Sequence, residues 1–197
     1  MNSEHVHELL YQALETELGG VQVYETALKC VQNDDLRGEW EKYREQTSNH
    51  VEIVTGLLET FGLEAGRETP GRAVVRHIGR SLVEAMQMAL NDGPPEAAEL
   101  AACECVTLAE TKDHLNWELI GEVAGRLKGA EGKALKEAHK QVEEQEDEHL
   151  YHSTGWGREL WIESLGMPSV LPPPEEQKDV KTAIGAARAK QVRGSMT

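Results

Sequence analysis

The sequence predicts an all-α fold in which four long helices pack as a bundle, and three observations carry that expectation. Ala, Leu, Glu and Gln are plentiful while aromatic residues make up 5% of the 197-residue chain, with a single Phe, a diet that favours helix over sheet. Gly and Pro cut the chain into long uninterrupted stretches, and within each stretch apolar residues recur at alternating spacings of three and four, the helical period. The length suits one domain with a continuous core, so residues 1–167 read as one helical domain and residues 168–197 as a Pro-rich, basic tail.

The first helix is expected from about Ser3, a candidate N-cap, to Val31, with Leu10, Leu14, Glu17, Val21, Tyr24 and Leu28 along one stripe. Asn33 and Asp34 leave so short a link that the second helix, about Asp35 to Phe61, returns antiparallel beside the first. Its stripe is Leu36, Trp40, Tyr43, Thr47, His50, Val54, Leu57 and Phe61. From Gly62 to Pro95 runs a long connection with its own shorter helix, about Gly71 to Leu90, long enough to cross the length of a bundle. The third long helix spans about Glu96 to Leu127 and places Leu100, Cys103, Thr107, Glu110, His114, Trp117, Gly121 and Ala124 on one face. Gly129 and Gly132 mark the next turn. The fourth long helix, about Lys133 to Leu165, keeps Leu135, Ala138, Val142, Glu146, His149, Ser153, Trp156 and Leu160 in register until Gly166 and Pro168 stop it. The tail then carries Lys178, Lys181, Arg188, Lys190 and Arg193 and is expected to dock on the acidic bundle or on a neighbouring subunit.

A formal net charge of −15 and a pI near 4.9 repel a phosphate backbone, which excludes nucleic acid and anionic membrane as natural partners. The sequence contains neither an apolar run of 18 residues nor a basic and apolar leader at Met1 to Glu8, so a cytoplasmic location is expected. Cys30, Cys103 and Cys105 lack CxxC spacing and read as core or helix-surface thiols.

Chemistry enters where the apolar stripes are interrupted. Every long helix has ionisable residues inside its stripe: Glu17; His50; Glu110 with His114; Glu146 with His149. Each position lies near the middle of its helix, so the side chains meet at one height whichever way the helices point. Burying a carboxylate is costly unless it is paired, protonated or bound to a cation. Glutamates and histidines converging in a dry core form a mixed oxygen and nitrogen cage suited to a first-row divalent metal. Of the two Glu-x-x-His segments, Glu4 to His7 sits at the start of the first helix and reads as solvated, whereas Glu146 to His149 sits mid-stripe, where i,i+3 spacing aims both side chains at one place. His5, His7, His77, His139 and His152, and Glu143, Glu144, Asp147 and Glu148, read as solvated or as neighbours of the layer.

This layer resembles that of the ferritin-like di-iron carboxylate proteins, the superfamily that includes bacterioferritin and rubrerythrin, whose pattern is one Glu from each of two helices and a Glu-x-x-His from each of the other two. By that resemblance Glu17 and Glu110 match the two single glutamates, Glu146 and His149 one motif, and His50 the histidine of the other. Tyr24, two turns after Glu17, resembles the tyrosine at that place in bacterioferritin-like proteins. A narrower stretch, about Tyr43 to Asp113, is similar to stress-associated ferritin-like proteins of bacteria. Thr47 departs from the pattern, standing where the second motif has its Glu. The site is therefore expected to be asymmetric, with one ion held tightly at Glu110, Glu146 and His149, joined by His114, and a weaker position at Glu17 and His50. The resemblance implies iron, with manganese served by the same ligands, and an oxidoreductase reaction with oxygen or peroxide in which Tyr24 or Trp117 donates electrons. An iron-storage role and a metal-free interaction role are the alternatives. A homodimer or small homo-oligomer is expected, and the sequence names no redox partner.

Overall fold

Local capping chemistry sets where the helices begin. Asn2 Oδ1 accepts from the Glu4 and His5 amides at 3.1 and 3.4 Å, and Asn33 Oδ1 accepts from the Asp35 and Leu36 amides at 2.9 and 3.1 Å. Asn2 therefore replaces the expected Ser3 as the first N-cap. Thr69 caps a third helix through the Arg72 amide at 3.1 Å, with Pro70 in the first turn, where a missing N–H costs nothing. The computed structural model describes residues 2–175 and has the order α1 (Ser3–Cys30), α2 (Asp34–Thr60), α3 (Pro70–Asp92), α4 (Pro95–Ala124) and α5 (Gly129–Ser164), with no strand among the described residues. The expected elements are present with ends shifted by a few residues. The largest shift is at α5, which starts at Gly129 rather than Lys133. Gly132 thus lies in its first turn, where a Cβ would land 2.1 Å from the Leu127 carbonyl oxygen. The glycine serves close packing there, not a turn.

α1 packs against α2, α3 and α4, while α5 packs against α2 and α4, so α1, α2, α5 and α4 form a closed ring of neighbours with α3 lying over α1 and α4. Glu15, buried on α1, holds α3 in place: it accepts from Arg72 Nε at 3.0 Å and from Arg76 Nε and Nη2 at 2.7 and 2.9 Å. The two helices come close at Gly19 and Gly79, where a Cβ on Gly79 would lie 3.6 Å from the Gly19 Cα. Glu99 on α4 accepts from the Gln32 and Asn33 amides at 2.7 and 2.8 Å, tying the α1–α2 link to the opposite helix.

Two apolar clusters fill the interior. One joins Tyr24, Trp40, Met86, Val106 and Trp156; the other joins Leu14, Leu58, Ile120, Leu135 and Val142. On α1, α2, α4 and α5 the ionisable residues fall between the stretches that feed these two clusters, so the polar layer is sandwiched by apolar packing. The first residues after α5 pack on the bundle through an acidic rather than a basic group: Glu175 is buried against Gly155 and accepts from Arg158 Nη2 at 2.8 Å, and Glu159 accepts from the Val170 amide at 3.0 Å. The basic stretch from Lys178 onward lies outside the described residues. No helix among the described residues is long and apolar enough to cross a membrane.

Candidate metal centre

The buried face of α4 advances through Val106, Glu110, Asp113, Trp117 and Ile120, a three–four rhythm that sets the register of the layer. Glu17 from α1, His50 from α2, Glu110 and Asp113 from α4, and Glu146 and His149 from α5 all lie inside, each at most 4% exposed. The ligating atoms of five of them fall into two sets, Glu17 with His50 and Glu146, and Glu110 with Glu146 and His149. Within each set the atoms lie within 4.8 Å of one another. His50 Nδ1 is 3.1 Å from Glu146 Oε1 and 3.6 Å from Glu17 Oε2; His149 Nδ1 is 3.5 Å from both Glu110 Oε2 and Glu146 Oε1. Glu146 belongs to both sets.

Both rings are held from behind. His50 Nε2–H donates to Gln145 Oε1 at 2.7 Å, and His149 Nε2–H donates to Gln46 Oε1 at 2.9 Å. With Nε2 fastened to an amide oxygen, each Nδ1 is turned toward the carboxylates, the arrangement by which an outer partner orients a metal-ligating histidine. The exchange is reciprocal, since Gln46 and His50 share α2 while Gln145 and His149 share α5. The segments Gln46-Thr47-Ser48-Asn49-His50 and Gln145-Glu146-Asp147-Glu148-His149 thus occupy corresponding places. α1 and α4 correspond as well, with an aromatic residue seven positions beyond each Glu. Trp117 Nε1–H donates to Glu17 Oε1 at 2.7 Å, and Tyr24 is fully buried with its ring 6.2 Å from that of His149.

Electrostatics make the layer a site in search of positive charge. Burial, followed by the charges of Glu17, Glu146 and Glu110, pushes the Asp113 carboxyl well above the usual range. Burial also raises Glu146 to about 7. At His50 burial disfavours the charged ring, but Glu146 and Glu17 outweigh it and push the pKa up to about 10. Burial and then the Glu110 charge raise the Tyr24 phenol. Protons and a cation therefore compete for one space. Glu17 Oε2, His50 Nδ1, Glu110 Oε2, both Glu146 oxygens and His149 Nδ1 are buried and face only one another, with no hydrogen-bond partner outside the layer. Orphaned atoms of this kind are rare in a folded interior and need an explanation. That all of them point into one space, and that they are carboxylate oxygens and imidazole nitrogens, fits a divalent first-row metal.

The structure brings together Glu17, His50, Glu110, Glu146 and His149, as the sequence predicts, with Tyr24 and Trp117 beside them. It does not bring in His114. Position 114 lies at the edge of the α4 stripe, one place past Asp113, so its ring turns toward the α4–α5 seam and pairs through Nε2 with Asp147 Oδ1 at 2.8 Å. Asp113 takes the inward place assigned to His114 and adds a fourth buried carboxyl to the layer, outside both ligand sets. Its signal was in the sequence, as Glu110-x-x-Asp113 has the same i,i+3 spacing as Glu146-x-x-His149. Gln46 and Gln145 were also missed, although each stands four residues before a site histidine. Comparison with protein-family models, with curated proteins and with solved structures finds no match, so the resemblance to ferritin-like proteins rests on these residues alone.

Proposed function

We propose that the chain is a ferritin-like metal-binding protein in which α1, α2, α4 and α5 are the four helices of a bundle and α3 lies in the crossover, with iron, or manganese, held in the central layer. The observation that carries this reading is the pair of ligand sets sharing Glu146, each with a histidine whose outer nitrogen is fastened by a glutamine. Glu17 and His50 would hold one ion and Glu110 and His149 the other, with Glu146 within reach of both sets. Four buried carboxylates, Asp113 included, balance the charge of two divalent ions. Iron there would supply one-electron redox chemistry toward oxygen or peroxide. The chain's own residues orient and insulate: Trp117 holds Glu17, the glutamines fix the rings, and the two apolar clusters exclude water from either side. Assembly as a homodimer or small homo-oligomer is part of this proposal.

Metal analysis of protein purified without chelators tests it, with Glu17→Ala and Glu110→Ala as controls. Metal in the wild type that is lost in both variants is the expected outcome, and anaerobic ferrous loading followed by air should produce an iron-dependent absorption band. A metal-free, colourless wild type would instead assign the layer to helix register alone. A large hollow shell in light scattering would favour storage over a redox role.

A further inference from the structure

We infer that the cleft between α1 and α3 is a binding site for a phosphate group, held by Arg76, Arg80 and Gln22; the inference is independent of the metal reading. Arg72, Arg76 and Arg80 follow one another at i,i+4 spacing, so their side chains form a row along α3. That row, with Glu15, Gly19 and Gln22 of α1, lines a cleft of about 230 Å3. Like charges one turn apart repel, so the row is costly unless anions lie against it. Two carboxylates do. Glu15 is buried and bonds to both Arg72 and Arg76. Glu68 takes the outer end of Arg76, with Oε2 accepting from Nη1 at 3.0 Å and Oε1 from Nη2 at 2.9 Å. Arg80 is exposed and takes part in no ion pair among the described residues. Three guanidiniums therefore meet two carboxylates, and in a chain with a net charge of −15 the unmatched one borders an open cleft.

The two carboxylates differ in how firmly they are held. Glu15 is enclosed, and removing it would leave the buried Arg72 without its counter-charge. The Glu68 side chain is 64% exposed, and an ion pair of that kind adds little to stability. Glu68 is thus a replaceable occupant on the guanidinium end that an incoming oxyanion would take. Arg76 keeps its orientation without Glu68, because Glu15 still accepts from its Nε and Nη2. A planar guanidinium held in this way presents N–H groups that match the oxygens of a phosphate. Arg80 supplies the second positive charge, and the Gln22 amide a neutral donor. A dianion suits this set, since one charge replaces that of Glu68 and the other meets Arg80. The cleft is smaller than the roughly 300 Å3 at which pockets for drug-sized ligands begin. Free phosphate or a small phosphomonoester fits that size, and a nucleotide does not.

Titration calorimetry on the full chain, in low salt near pH 8, tests the site with inorganic phosphate and glycerol 3-phosphate as probes. The wild type should bind one phosphate group per chain, and no saturable binding of either probe in the millimolar range would overturn the inference. Arg80→Gln changes an exposed side chain and should weaken binding by at least about fivefold; unchanged affinity would overturn the assignment. Glu68→Gln is the sharper arm. Removing the competing carboxylate should tighten phosphate binding several-fold, while Glu41→Gln, the same change of charge on α2, should not. An equal gain in both variants would reduce the effect to overall charge and overturn the site. Acetate, with a single charge, should bind far more weakly than phosphate, and equal affinities would overturn the choice of a phosphate group. Tighter binding of one probe than of the other identifies the source as the free anion or an ester.

Discussion

Glu146 faces His50 and His149 at once, and no other side chain in the layer belongs to both ligand sets. Glu146→Ala should therefore cost more bound metal than any other single substitution, as read by metal analysis of the purified variants; wild-type metal content in that variant would sink the assignment. Asp113 makes a sharper test. Its carboxyl is held well above the ordinary range by burial and by the charges of Glu17, Glu146 and Glu110, which favours the neutral acid in the absence of a cation. Asparagine has nearly the shape of that neutral acid. Asp113→Asn should then leave thermal unfolding of the metal-free protein within a degree or two, yet weaken ion binding by about tenfold or more, because a carboxylate close to the ions is lost. Titration calorimetry beside thermal unfolding separates the two effects, and equal losses in both would make Asp113 a packing residue.

At the scale of elements, the Arg72–Glu15–Arg76 clamp decides whether α3 stays on α1. Burial pushes the Glu15 carboxyl up, but the guanidiniums of Arg76 and Arg72 outweigh it and hold it below the usual carboxylate value. A depressed folded-state pKa contributes stability that is full above the ordinary carboxylate range and fades as pH falls through the folded value. Glu15→Gln, which leaves two buried or half-buried arginines short of a partner, should cost about 3 kcal/mol at neutral pH, with the gap to wild type narrowing in acid. Urea titrations at neutral and acid pH read this directly, and a constant gap would exclude the ion pair as its source. The helices themselves were legible because their apolar rhythm is long and uninterrupted. Their caps were less so, since Ser3 and Asn2 are both good N-caps and only the backbone geometry chooses between them. Register was the weak point: on α4 a stripe through Glu110, His114 and Gly121 has nearly the same spacing as the buried one through Glu110, Asp113 and Ile120. One position of ambiguity exchanged Asp113 for His114.

For the whole molecule, the single polar layer between two apolar clusters could be read from the sequence, because mid-helix positions meet at one height in any arrangement of antiparallel helices. The correspondence between its halves could not be read until the Gln46–His149 and Gln145–His50 bonds were seen, as each joins residues from different helices. On the proposed reading that closed layer would couple metal binding to folding of the entire ring, since the candidate ligands come from four helices and a disordered chain cannot assemble them. An ion that binds only the folded chain at a hundred times its dissociation constant adds about 2.7 kcal/mol. For a chain of this size that corresponds to a rise in Tm of about 5–10 °C. Protons oppose it: His50, raised to about 10, and Glu146, raised to about 7, must give theirs up before an ion can take the lone pairs. The rise should therefore be larger near pH 8 than near pH 6, and a chelator should reverse it. A surface with a net charge of −15 attracts any dication to some degree, so Glu146→Ala under the same conditions is the control. A rise of equal size in wild type and in that variant would place the effect on the surface, and no rise in either would return the layer to a purely structural role.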